Sequence, residues 1–231
     1  DEDGIARPVR GATVELWNLR SGADLLEDRC RVGITDGAGN FSLTGNCGDF
    51  FDGPDLAVRL VLNNSFVEVK PDGGFTYVFQ SSTLANRAEG AHNFGTLRIT
   101  QNAGAAHLHN LVMRARQFMA SEAGESVPKV TLLFPSPLTM YIWGGLKEIR
   151  VLEEWAFEKD AAFLHEYGHH ILFTRSEFPF PDYSNGNCDD DVFSLFGFAI
   201  AEPGLCTFAP EKDEISWTEG WPDYLAKLVW D

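Results

Sequence analysis

Two histidines four residues apart, His165 and His169, flank a glutamate in the segment HEYGH. On a helix that spacing sets the imidazoles about 40° apart around the axis and one turn apart along it, so both rings reach a single ion. Glu166 projects beside the pair, where its carboxylate can take a proton from a metal-bound water without being a ligand. Zinc-assisted hydrolysis needs this arrangement. The plainer alternative is a polar helix face on which two histidines fall by chance, and the surrounding elements must decide between them.

Those elements are legible in outline. Residues 160–173 read as a helix, with Asp160 as N-cap and Phe163, Leu164, Tyr167, Ile171 and Leu172 available for packing. Farther on, in SWTEGWPDY, Glu219 and Asp223 stand four apart near the start of a second helix, with Thr218 as its N-cap and Pro222 in its first turn. One helix face therefore carries both carboxylates. Catalytic zinc takes three protein ligands and keeps one position open, which makes Glu219 the natural third ligand. A ligating histidine hands its other N–H to a carboxylate, and Asp223 fits that role. Rival third ligands are Asp182, Asp189, Asp190, Asp191 and Glu202, and Glu219 as a mere capping carboxylate is the bland reading. Asp189, Asp190 and Asp191 could hold calcium, although a solvated loop is the simpler account. His170 points about 100° from His169 and reads as a core or surface residue. His92, His107 and His109 read as ordinary structural histidines. Trp143, Trp155, Trp217, Trp221 and Trp230 read mainly as packing residues, one or two of them possible cleft walls.

The whole chain bounds the partners. Its 231 residues carry 18 basic against 34 acidic side chains, a formal net charge of -16 that repels phosphate backbones and anionic membranes and so argues against nucleic acid. With 44% hydrophobic and 13% aromatic residues there is ample material for packed cores. No apolar run approaches the roughly 20 residues that span a bilayer, and a chain opening on Asp1 reads as a mature or trimmed product. The order of the four cysteines suggests two local disulfides, Cys30 with Cys47 and Cys188 with Cys206, though three connectivities are formally open. Paired cysteines and the N-x-S sequons at Asn40 and Asn63 point to an extracellular, secreted location.

From about residue 11 to 99, short alternating segments are broken by DGAGN, DGPD and PDGG turns. In the first, Val14 and Leu16 alternate with Thr13 and Glu15. Further strands are expected at 31–35, 41–43, 56–62, 66–69, 75–79 and 96–99, about the number of an antiparallel β-sandwich. The segments VRGATVELW and ITDGAGNFSL resemble the transthyretin-like, or carboxypeptidase regulatory-like, β-sandwich. That resemblance implies an accessory, folding or binding module. After residue 100 the period becomes helical, with Leu108, Leu111, Val112, Ala115, Phe118 and Met119 on one face. A β-like run at 130–134, an apolar aromatic stretch at 140–143 and a strand at 148–152 then lead to the motif helix.

HEYGH followed by the E-x-x-x-D arrangement of Glu219 and Asp223 resembles the gluzincins, the thermolysin-like branch of zinc peptidases. The resemblance implies zinc ligation by His165, His169 and Glu219, general base and acid work by Glu166, and orientation of a histidine by Asp223. It also implies that an upstream strand, 148–152, binds extended substrate at a sheet edge. The oxyanion-stabilising His or Tyr of that family has no plain counterpart, with Tyr183 and Tyr224 as candidates, and a C-terminal subdomain could be missing. The expectation is thus an α+β multidomain chain: an N-terminal antiparallel β-sandwich over 1–100 and a zincin-like α+β metallopeptidase domain over 101–231. The expected function is a secreted zinc metallopeptidase acting on peptide or protein substrates. The alternative is a non-catalytic secreted structural or adhesive protein that retains a zinc site, with self-assembly through a sandwich edge an open possibility.

Overall fold

The computed structural model describes residues 6–19, 27–47, 53–142, 147–175 and 213–230. In chain order these form β1 (Thr13–Asn18), β2 (Asp28–Ile34), β3 (Leu56–Val61), β4 (Val67–Lys70), β5 (Val78–Gln80), α1 (Ala103–Glu122), β6 (Val130–Leu133), β7 (Met140–Ile142), β8 (Glu148–Arg150), α2 (Trp155–Glu158), α3 (Asp160–Arg175) and α4 (Asp213–Trp230). The fold is mixed α+β with two four-stranded sheets.

The first sheet is antiparallel, in the order β2-β1-β3-β5. The period-two pattern of β1 does what it predicts: Val14 and Leu16 are buried while Thr13, Glu15 and Trp17 are half-buried. The DGAGN segment closes as a tight turn, in which Asp36 Oδ1 accepts hydrogen bonds from the backbone N–H of Ala38 and Asn40, both at 2.8 Å. Gly39 takes φ 75° there, a conformation that favours glycine. Two expected strands do not form. Around 41–43 the chain packs by side chains instead of a ladder, with Leu43 over Gly33, where a Cβ would lie 2.6 Å from the leucine. The Cys30–Cys47 disulfide ties this segment back to β2. Residues 96–99 are likewise irregular, although Leu97 and Ile99 rest against the core.

The second sheet is mixed, in the order β4-β6-β8-β7. β4 and β8 flank β6 in parallel, and β7 pairs antiparallel with β8. Strand β4 comes from the stretch expected to lie wholly within an N-terminal sandwich, yet it runs beside β6, with Val67 opposite Val130 and Lys70 opposite Leu133. On its other side it keeps backbone bonds to the first half, from Val69 N–H to the Leu62 carbonyl and from Tyr77 N–H to the Val69 carbonyl. A single hydrophobic core accordingly runs from Val14, Leu16 and Val58 through Val67 and Val69 to Leu132, Phe163 and Tyr167.

Helix α1 buries the expected stripe, with Leu108, Leu111, Val112, Ala115 and Met119 inside and Phe118 partly so. It packs on β4, α2 and α3, while α3 packs most extensively on α4. Among the described residues, no helix is long and apolar enough to cross a membrane.

Candidate metal centre

Helix α3 is held on several sides, burying Phe163, Leu164, Tyr167, Gly168, Ile171 and Leu172. Asp160 opens it and accepts a hydrogen bond from His107 Nε2 at 2.8 Å, so His107 braces the helix start. Helix α4 begins earlier than the sequence suggests: it starts at Asp213, so Thr218 is a buried interior residue and Pro222 lies inside the helix. Pro222 cannot donate to the carbonyl four residues back, which ordinarily weakens a helix interior. Its ring instead meets α3 at Gly168, where a Cβ would stand 2.7 Å from Pro222 Cα and 2.8 Å from its Cβ. Gly168, the fourth residue of HEYGH, thereby lets α4 approach closely enough to bring Glu219 to the two histidines. Sequence reasoning missed it. Its only signal was a glycine in a helix interior, which usually marks a close approach.

The result is a compact triad. His165 Nε2 and His169 Nε2 lie 3.0 Å apart, and Glu219 Oε2 lies 3.3 Å from the first and 3.4 Å from the second. His165 Nδ1–H donates to Asp223 Oδ1 at 2.7 Å, which orients the ring and turns Nε2 toward His169 and Glu219. Two ring nitrogens at this separation, both carrying lone pairs, repel unless a proton or a cation sits between them. His165, His169 and Glu219 form a group that could hold a metal ion.

Electrostatics point the same way. Burial alone would make His165 less basic, but hydrogen bonds to Asp223 and Glu219 and the nearby charge of Glu166 push its pKa up to about 10. Burial likewise works against an ionised Glu219, yet its bonds to both histidines hold it well below the usual carboxylate range. The pocket thus favours positive charge at its centre, the condition for binding a cation.

Glu166 lies on the same helix and is tied to the second sheet: Tyr141 N–H donates to its Oε2 at 2.7 Å. Tyr141 belongs to β7, the edge of the sheet on this side. The strand expected to offer a free edge, 148–152, corresponds to β8, which is paired on both sides, with β6 and with β7. The strand at the site's edge is therefore β7.

Comparison with protein-family models, curated proteins and solved structures returned no match. What the chain does has to be read from its own geometry.

The remaining histidines lie outside the triad. His170 donates from Nε2 to the Pro128 carbonyl at 3.1 Å and is fully buried, and burial lowers its pKa to about 4. His109 is fully buried on α1, its Nε2 3.4 Å from Asn64 Nδ2, and burial lowers its pKa to about 4 as well. His92 contacts the Ala88 carbonyl. Of the tryptophans, Trp155 and Trp221 pack against the core, while Trp217 is 53% exposed. Tyr224 is 61% exposed on α4. Tyr183, Trp143, Cys188, Cys206 and the rival ligands Asp182, Asp189, Asp190, Asp191 and Glu202 lie outside the described residues.

Proposed function

We propose that this chain is a secreted zinc-dependent metallopeptidase. The observation that carries the reading is the convergence of two imidazole nitrogens and one carboxylate oxygen, 3.0 to 3.4 Å apart, beside a further carboxylate on the same helix. A tetrahedral zinc site with bonds of about 2.0–2.1 Å sets its donors roughly 3.3–3.4 Å apart, so the separations suit that ion, and N/N/O donors suit its chemistry. His165, His169 and Glu219 would hold the zinc, with Asp223 orienting His165. Zinc bound there would supply Lewis acidity, polarising a scissile carbonyl and making a water more acidic. Glu166 would take the proton of the attacking water and deliver it to the leaving amine. The Tyr141 N–H on Glu166 Oε2 ties that carboxylate, beside the ligand cluster, to β7, the outermost strand of the second sheet among the described residues. An extended peptide is the substrate class that such an edge accommodates, by adding a strand to the sheet. The Cys30–Cys47 disulfide supports an oxidising, extracellular setting.

The test joins metal content to turnover. Wild-type chain is expected to bind one zinc and to cleave a generic peptide mixture in a chelator-sensitive way. Glu166→Gln is expected to keep the zinc and lose cleavage by several orders of magnitude. A His165→Ala, His169→Ala double variant should lose both. Zinc without cleavage would favour the non-catalytic structural role, and a wild-type chain without zinc would remove the basis of the proposal.

A further inference from the structure

The two histidines of the triad are oriented by different means. His165 is fixed by its Nδ1–H bond to Asp223. His169 Nδ1 is buried and has no hydrogen-bond partner among the described residues. What lies against the His169 ring is aromatic. Phe173, one helical turn onward and therefore on the same face of α3, stacks on it with ring centroids 6.1 Å apart and planes 14° apart. Tyr141 of β7 stacks in turn on Phe173, at 6.3 Å and 2°. His169, Phe173 and Tyr141 form a run of three near-parallel rings that ends at the residue whose N–H anchors Glu166. The His165 ring stands nearly perpendicular to that of His169, at 85° with centroids 4.6 Å apart, so rotating either imidazole would turn its Nε2 away from the other.

We infer that Phe173 is a positioning residue for metal binding: its flat face, backed by Tyr141, sets the plane of the His169 ring and does by packing what Asp223 does for His165 by hydrogen bonding. The physical reason is that a buried imidazole with no acceptor on its second nitrogen is free to turn about χ2 unless its neighbours forbid it, and parallel aromatic faces at these separations favour one orientation. Phe173 acts through His169. The tyrosine backing Phe173 also ties the ring stack to the edge strand, so the ligand and the general base share one support. This inference rests on the metal-binding reading above, and its test separates the two.

Wild type, Phe173→Leu, Phe173→Tyr and a His169→Ala control would be titrated with zinc in competition with a chromophoric chelator. The visible absorption of the cobalt(II)-loaded forms would be recorded alongside. Supports of this kind around a metal ligand typically change affinity about 10- to 100-fold. Phe173→Leu, which keeps the apolar volume but loses the flat face, is expected to weaken zinc binding about 10-fold and to alter the cobalt spectrum. Phe173→Tyr, which keeps the face, is expected to bind within about 3-fold of wild type and to retain the spectrum. Thermal unfolding of the chelated proteins tells a local effect from global damage, since a purely structural role would make affinity follow stability across the variants. Wild-type affinity in Phe173→Leu, or equal losses in the leucine and tyrosine variants, would overturn the inference while leaving the metal site standing. Wild-type chain and His169→Ala binding zinc equally would overturn both.

Discussion

In the first sheet, backbone ladders set where side chains go: β1 is paired along its length on both sides, Thr13 lying opposite Ile34 and Val61, and a disulfide pins the neighbouring segment. In the helix pair α3 and α4, no ladder joins the partners. Their relative placement rests on side-chain contacts, among them the close approach where Gly168 meets Pro222. A ladder tolerates changes of side chain because its bonds are made by groups that every residue but proline carries. A helix contact at van der Waals distance does not, since one methyl group there has nowhere to go. The candidate site is built on the second kind of support, so its geometry should be the more fragile of the two.

Acidification should perturb the protein most, and much of its effect falls outside the triad, on the buried histidines His109 and His170. His109 is buried and neutral with a pKa lowered to about 4, whereas the unfolded chain takes up the same proton near pH 6.5. Between those values the unfolded state binds more protons, so stability falls as pH drops from about 6.5 to about 4, by on the order of 3 kcal/mol, and then levels off for this group. His165 has the opposite sign in the metal-free chain: with its pKa raised to about 10, its contribution is complete below about pH 6.5 and is lost as pH rises through 10. Urea unfolding of the chelated protein across pH should therefore trace a dome. His109→Gln should shrink the acid limb alone, leaving the share of His170, whose pKa burial also lowers to about 4, and a limb that persists unchanged would mean that other groups govern it.

Removing the disulfide with Cys30→Ala and Cys47→Ala is expected to cost about 3 kcal/mol in chemical denaturation and to leave zinc affinity unchanged. A parallel loss of affinity would show that the two regions are not independent. Gly168→Ala should do the reverse. Its cost in stability is expected to be only about 1–3 kcal/mol, but zinc affinity should fall by about 10-fold or more because Glu219 is pushed away from the histidines. If affinity survives that substitution, α4 can shift without carrying its carboxylate out of reach, and the contrast between the two supports fails.

The same contrast explains what could be read from the sequence. His165, Glu166 and His169 were legible because an i, i+4 spacing on one helix is a local property, and Glu219 with Asp223 repeats it on another. Val14 and Leu16 were legible because a two-residue period is local as well. The Gly168 to Pro222 contact, the ring stack behind His169 and the Tyr141 bond to Glu166 join residues far apart in the chain, and no periodicity encodes them. The start of α4 was misjudged because Pro222 suggested a first turn, whereas it lies inside a helix that begins at Asp213, its ring against Gly168. The strand at 148–152 was expected at an edge because nothing in EIR distinguishes an edge strand from one flanked on both sides. Only the sheet order makes β7 the edge.

The ladder between β4 and β6 carries a consequence for the order of events as the chain acquires its structure. It pairs Val67 with Val130, so β4 must wait, with one side open, until the whole of α1 and the segment beyond it have been made. Parallel pairing across so long a stretch is slow, because the entropy of closing the intervening loop is lost before the contact is gained. During that interval an exposed apolar edge, Val67 and Val69, can be captured by another chain. Formation of the second sheet, and with it the support for Tyr141 and Glu166, should be the late step in refolding, and the one most sensitive to protein concentration.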